Sequence, residues 1–442
     1  VFGDWSSDVC SSDLSMRWYW SSAVAVMAIG VGASTALADD VGQLRDLVEK
    51  QSQQIEALMS RIDALETERT AARAQDDQIV SRVSALESVK GEGPGRPKWL
   101  DWVEKLKVHG DLRYRYEWTD SEGRTPRSRN RIRARIGLDA KVNEEVDLGF
   151  MLASGSDDPI STNQTLTNGF STKDIFLDLA YFDYHPIQVP ELHVIGGKMP
   201  NPFYTPGDTE LIWDGDLRPE GLAASYNRDF GALNLFATTA AFFVQERATD
   251  SDASVIGVQA GGRYAVPDSD AYVLGGASFY NFMDVERKAT IWNAADSFGN
   301  DVDVLGQYAE DFDELEFFAE VGTKVKGIPV AMFGDIVLNT AAEDKDQDFG
   351  WLVGGSLGKT KDPGSWALRY SYRELERNAV IGVFTDSDLA GGGTDVKGHE
   401  LAFDYQISKG FKAGVSYFVC NEPGQGSGVD YQKVQCDLSF KF

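Results

Sequence analysis

Cysteine, histidine and basic charge are all scarce in this chain. Its 442 residues hold 3 cysteines and 4 histidines, and 42 lysines and arginines stand against 69 acids, a formal net charge of −27. So few cysteines exclude a disulfide-stapled scaffold. The histidines, at 109, 185, 193 and 399, are scattered and offer no metal-ligand spacing, so no metal and no cofactor is expected. The deficit of base argues against a general nucleic-acid binder, which needs cations to displace phosphate counterions. Long apolar runs are missing as well. Beyond residue 38 no stretch approaches the ~20 apolar residues of a membrane-spanning helix. Such a chain is either soluble or crosses a membrane with strands, which need be apolar on one face alone.

The N-terminal part reads differently from the rest. Met16 opens a stretch with Arg17 near its start, an apolar core over Ala23–Ala33 and small residues in Ala36-Leu37-Ala38. This is the layout of a secretory signal peptide over 16–38. Residues 1–15 precede that methionine, are rich in Ser and Asp, and read as a non-native leader like the read-through of a sequencing adapter. In 41–90, Val41, Leu44, Val48, Ile55, Leu58, Ile62, Leu65, Ile79, Val83 and Leu86 follow steps of three and four once Gln51, Arg69, Ala72 and Asp76 are counted in the same seam. The period predicts an α-helical coiled coil about 75 Å long if fully helical. Gln51, Arg69 and Asp76 in its seam leave the number of helices open. Residues 91–105 form a linker, by the Gly and Pro of its first half.

From Leu106 to Phe442 the period changes to two. Sixteen candidate strands fit, from 106–118 to 430–442. The connections sort by length. Asn143–Glu145, Pro267–Asp270, Gly327 and Ser408–Gly410 make short turns after even-numbered strands. The long connections 156–172, 199–219, 284–313 and 377–395 follow odd-numbered ones. Short turns at one end, long loops at the other and an even strand number predict an all-β, antiparallel transmembrane barrel of about 16 strands, preceded by the coiled coil. The coiled coil then belongs in the periplasm, where it could brace an oligomer or reach peptidoglycan.

Parity separates the two faces. In 107–118, Val108, Leu112, Tyr114, Tyr116 and Trp118 alternate with Lys107, His109, Asp111, Arg113, Arg115 and Glu117. The charged side must meet water, since a Lys or Arg at the bilayer midplane costs about 2–4 kcal/mol. In 173–185 the alternation is less clean, and no face is assigned. Tyr264, Tyr272, Tyr280 and Phe318 are expected in interfacial aromatic girdles. Cys436 shares parity with Phe440 whereas Cys420 faces away from that side, so no bridge between them is expected.

The sharpest feature is RSRNRIRARIG, where Arg127, Arg129, Arg131, Arg133 and Arg135 occupy every second position. On a strand they form a ladder with steps of about 6–7 Å. With Arg113 and Arg115 they make a basic wall that calls for lumenal acids or passing anions, and Arg131 and Arg133 are expected at the narrowest point. The connection 199–219 carries Asp208, Glu210, Asp214, Asp216 and Arg218 beside Phe203, Tyr204, Leu211, Ile212 and Trp213. An exposed loop does not need that apolar content. A loop folded into a lumen does, and its acids facing the arginines would form a charged constriction. Asp214-Gly215-Asp216 is too short and too poor in ligands for a calcium loop.

The stretches GDLRYRYEW, RNRIRARIGLDAKVNEEVDLGFMLASG, STNQTL, FLDLAYFDYHP, GGKMPNPFY and LIWDGDLRPEG closely resemble the bacterial putative-porin family of outer-membrane barrels. The resemblance runs from about Leu106 to Phe442. It implies a diffusion channel for small hydrophilic solutes, set in outer-membrane lipid as a homotrimer. It also implies that 199–219 takes the place of the third external loop, which in general porins folds into the pore. The aromatic end at Phe440 and Phe442 resembles the signal read by the outer-membrane assembly machinery. An anion preference is an inference from the arginines, not from the resemblance. Two other readings compete: a barrel enzyme, for which no serine accompanies His109, and an adhesin or cell-wall spacer working through the coiled coil.

Overall fold

The computed structural model describes residues 59–61, 103–421 and 430–442. The segments expected as leader, signal peptide and linker lie outside the described residues, as does the coiled coil except for three helical residues, 59–61.

The strands come in chain order. The first six are β1 (Leu106–Ser121), β2 (Arg127–Lys141), β3 (Val146–Ser154), β4 (Gln164–Thr165), β5 (Ile175–Tyr184) and β6 (Leu192–Lys198). Next come β7 (Glu220–Phe230), β8 (Leu233–Gln245), β9 (Ala253–Ala265), β10 (Tyr272–Met283), β11 (Asp313–Val325) and β12 (Ile328–Asn339). The last are β13 (Phe349–Gly358), β14 (Trp366–Leu375), β15 (Val396–Ser408), β16 (Phe411–Asn421) and β17 (Asp430–Lys441). Consecutive strands pair antiparallel, and β1 pairs with β17 to close the ring. The two-residue β4 is not a wall strand. It lies in the connection after β3 and pairs with β2 at Arg131 and Ile132, while β3 pairs directly with β5. Sixteen strands therefore build the wall, the number the alternation predicts. Closure leaves no unpaired edge in the hydrocarbon layer, where an unsatisfied backbone group would be costly.

The faces follow parity. On β1, Leu112, Tyr114 and Tyr116 are exposed on the outside, while Asp111, Arg115 and Glu117 are buried within. The exception is β5. Leu177 and Phe182 have opposite parity, yet both are exposed. Met151 pairs with Leu179 and Leu152 with Leu177, so Asp178 is an extra residue in a β-bulge. The bulge shifts the alternation by one and turns Asp178 inward, which is why the sequence there gives no consistent face. The aromatic girdle needs a correction too. Tyr264 is exposed on the outer face, but Tyr280 and Phe318 are buried inside, and Tyr272 turns its hydroxyl to lumenal Glu320. Tyr280 packs there on Phe203 and Trp213, and Phe318 on Tyr204, all from the inward-folded loop 199–219, whereas Tyr272 lies between Arg263 and Glu320.

At the short-turn end, Lys326 and Gly327 alone join β11 to β12, both with positive φ. Such a two-residue turn matches the twist of the strands it joins. At the other end the long connections fold into the lumen. Met199, Phe203, Leu211, Ile212, Trp213 and Leu217 of one loop pack with Val380, Ile381, Val383 and Phe384 of another. Ile291, Tyr308 and Phe312 join from 284–313, and Tyr280 and Phe282 from the wall. The apolar core thus sits inside the barrel rather than between sheets.

The last residue closes the seam. Phe442 exchanges backbone hydrogen bonds with Gly110 at 3.2 and 3.1 Å, and the Phe440 ring stacks on Phe411 at 4.5 Å. Cys420 is buried and Cys436 exposed, on opposite faces and unbridged.

Candidate functional site

The ladder is assembled by strand register. Across β1 and β2, Asp111 faces Arg135, Arg113 faces Arg133, Arg115 faces Arg131 and Glu117 faces Arg129. On the other side of β1, Arg115 faces Asp437 of β17. Like charges directly opposite one another destabilise a sheet, and two of these pairs are arginine on arginine. The wall offsets this with acids of its own. Arg133 and Arg135 donate from Nε to the two oxygens of Asp111, at 3.0 and 2.8 Å. Arg115 makes a bidentate contact with Asp437, both bonds 2.8 Å. Glu117 accepts from Arg129 and lies 3.6 Å from Arg131.

Two loops then reach the wall. Asp216, on 199–219, lies 3.4 Å from Arg133 and 3.5 Å from Arg135. Asp388, on 377–395, accepts from Arg115 at 2.9 and 3.1 Å, from Gln435 at 2.7 Å, and faces Lys433 at 3.4 Å. Burial alone would raise the Asp216 carboxyl, but Arg133, Arg135, Arg113 and Arg218 together hold it below its ordinary value. Asp388 likewise lies well below its ordinary value, through Arg115 and Lys433, against the effect of burial. Part of the band is reached by water, with side-chain exposure of 13% at Arg131 and Arg133, 18% at Asp216 and 32% at Asp388, while Arg115, Glu117 and Lys433 are buried. Water-reached charges on a wall and on loops facing it can sort ions by sign and strip part of their hydration.

The constriction differs from the expected one in its acids. Of the four expected from 199–219, Asp216 alone meets the arginine ladder. Asp208 sits elsewhere. Its backbone oxygen accepts from Arg369 at 2.8 Å, beside a cavity of about 550 Å³ lined by Tyr204, Glu320, Lys359 and Asp404. Glu210 and Asp214 turn to the other inward loop and, with Asp386, bring carboxylate oxygens within 4.8 Å of one another. Arg373 pairs with Asp386 at 2.5 Å and holds the Glu210 backbone oxygen at 3.2 Å. Burial, with Asp386 as the main charge beside it, raises the carboxyls of both Glu210 and Asp214 well above their ordinary values. Asp214 and Asp216 therefore diverge. Arg218 faces bulged Asp178 at 3.6 Å.

The loop 377–395 and its Asp388 were not expected as part of the site. Its signal is the apolar run Val380-Ile381-Gly382-Val383-Phe384 within a long connection, the same signal that marks 199–219. Lys433 and Gln435 lie on the lumen side of β17, where parity opposite Phe440 puts them. His109 faces Asp139 at 3.3 Å, and His185, His193 and His399 face Asp147, Asp183 and Tyr370.

A sequence profile of the family described as putative porin matches residues 120–309 and 307–442. No curated protein matches. Among solved structures, OprB of Pseudomonas putida is similar with a TM-score of 0.54 at 11% identity, covering 77% of this chain and 96% of that one. OmpF of Salmonella typhi, in a complex with daunomycin, aligns with a TM-score of 0.48 at 12% identity, over 76% and 97% of the two chains. OmpT of Vibrio cholerae, lacking its loop L8, aligns with a TM-score of 0.45 at 12% identity, over 76% and 99%.

Proposed function

The chain belongs to the putative porin family, and from that premise we propose that it is a passive outer-membrane diffusion channel for small hydrophilic solutes that prefers anions. The charge inventory of the arginine ladder and its direct partners carries the anion preference. Seven cations, Arg113, Arg115, Arg129, Arg131, Arg133, Arg135 and Lys433, meet five carboxylates, Asp111, Glu117, Asp216, Asp388 and Asp437. The local excess is positive although the chain as a whole is strongly acidic. Field lines focus in a narrow water path, so this local excess governs ion choice more than net charge does.

The test is the reversal potential of single channels in a planar bilayer under a salt gradient. The native channel should favour chloride over potassium. Replacing both Arg131 and Arg133 with Gln should move the preference towards the cation, and an unchanged ratio would sink the anion reading. Closed channels combined with hydrolytic activity would instead favour a barrel enzyme.

We propose a homotrimer in outer-membrane lipid, with the heptads of 41–90 bracing it in the periplasm or reaching peptidoglycan. The sequence period and the family resemblance support this, and the native mass of the full chain tests it. Phe440 and Phe442 are proposed as the signal to the assembly machinery. Deleting Phe442 should lower the yield of folded barrel while leaving conductance per channel unchanged. A normal yield would count against the signal.

A further inference from the structure

The ladder arginines are not equivalent. Arg115, Arg129, Arg133 and Arg135 each donate directly to a carboxylate. Arg113 and Arg131 do not. Arg113 comes no closer to a carboxylate than 4.0 Å, at Asp437, and Arg131 no closer than 3.6 Å, at Glu117. Their hydrogen bonds go to neutral acceptors of the connection after β3. Arg113 Nη2 donates to Asn163 Oδ1 at 2.7 Å, and Arg131 Nη2 reaches the Asn163 backbone oxygen and Ser161 Oγ, both at 3.4 Å. The two guanidinium groups thus converge on one residue, and in each the buried Nε–H has no partner.

The nearby acids do not fill the gap. Asp388 acts on both arginines through space, yet its oxygens are taken up by Arg115, Lys433 and Gln435. Asp437 is clasped by Arg115. Glu117 gives Oε1 to Arg129, and its Oε2, with no hydrogen bond of its own, stands 3.6 Å from Arg131 and 3.9 Å from Lys433. Asp158 also lies near Arg131, but burial raises its carboxyl and weakens it as a counter-ion. Arg113 and Arg131 are therefore the two arginines of the ladder band that donate no hydrogen bond to a carboxylate.

We propose that Arg113 and Arg131, converging on Asn163, form a binding subsite for the carboxylate of a small organic acid inside the channel. The inference rests on the channel reading above. A planar carboxylate matches the edge of a guanidinium fork, which offers parallel N–H donors. A phosphate can take the same fork through two of its oxygens, but its remaining oxygens then need donors beyond the pair. Both side chains remain in contact with water, at 13% exposure each, so a solute in the lumen can reach them.

The experiment is block of single-channel chloride current by succinate, acetate and inorganic phosphate, with the full chain in a planar bilayer. Succinate should block the native channel at lower concentration than phosphate. In R113Q/R131Q the half-blocking succinate concentration should rise by about tenfold, a change of about 1.4 kcal/mol. R133Q/R135Q, which alters two neutralised arginines, should change it by less than about threefold on the same scale. R113K/R131K keeps the charge and lacks the fork. It should retain anion preference and still lose succinate block, which separates the subsite from bulk charge and guards against a variant that fails to fold. Equal block in native and Lys-paired channels, or tighter block by phosphate than by succinate, overturns the subsite while leaving an anion channel standing. A native protein that conducts no ions overturns the channel reading and the subsite with it.

Discussion

Asp214 and Asp216 stand two residues apart on one inward loop and meet opposite surroundings. Asp216 points to the wall and lies between Arg133 and Arg135. Asp214 points to the second loop, takes the Ser387 amide at 2.7 Å and sits with Glu210 and Asp386. One side of the loop is fixed by an acid among bases. The other is fixed by acids among acids, relieved by a single guanidinium. The lesson is that a lumenal loop is held by two different kinds of contact, and the two can be broken separately.

The sharpest way to break the comparison is at Arg373. This side chain is 5% exposed and is the cation paired with Asp386. Replacing it with Met keeps much of the volume and leaves three clustered carboxylates without their base. Removing one partner of a buried pair costs about 3–5 kcal/mol, because the remaining charge stays desolvated. Both inward loops share this tether, so Arg373→Met should raise single-channel conductance and open 199–219 to protease. Selectivity should shift little, since the arginine ladder keeps its own partners. A variant with native conductance and native protease resistance would mean that the apolar core of Trp213, Phe282 and Phe384 holds the loops unaided.

That apolar core also explains how far the site could be read from sequence. Strand alternation is imposed by lipid on one side and water on the other, so it survives in the residues themselves. Arg113, Arg115 and the ladder from Arg129 to Arg135 stood out for that reason. The bulge at Asp178 did not, because one inserted residue looks like imperfect alternation until its partner strand is known. Tyr280 and Phe318 were misplaced because an aromatic on a barrel strand can serve a girdle or a lumenal plug, and parity had to decide. The acids of 199–219 were harder still. No period orders a loop, and which of Asp208, Glu210, Asp214 and Asp216 meets the arginines depends on how the loop docks. Asp388 stands 172 residues beyond Asp216, on a second loop that barrel closure and inward folding bring to the ladder.

A gentler way to sharpen the contrast is pH. The Asp216 carboxyl is lowered, so its contribution to docking is present above the ordinary carboxylate range near ~4 and is lost as pH falls through its depressed value. Glu210 and Asp214 are raised, first by burial and then by Asp386 and each other's loop neighbours, so the sign reverses. Their contribution is present below ~4 and is lost as pH rises through their elevated values. The loop should therefore be held best in the window between these limits. It should loosen on its wall side as pH falls and on its loop side as pH rises. Protease accessibility of 199–219 against pH would show two limbs. Asp216→Asn should remove the lower-pH limb and leave the higher-pH one, while E210Q/D214N should do the converse. Loss of both limbs in either variant would show that the two sides move as one, and that the opposition between Asp214 and Asp216 has no consequence for docking.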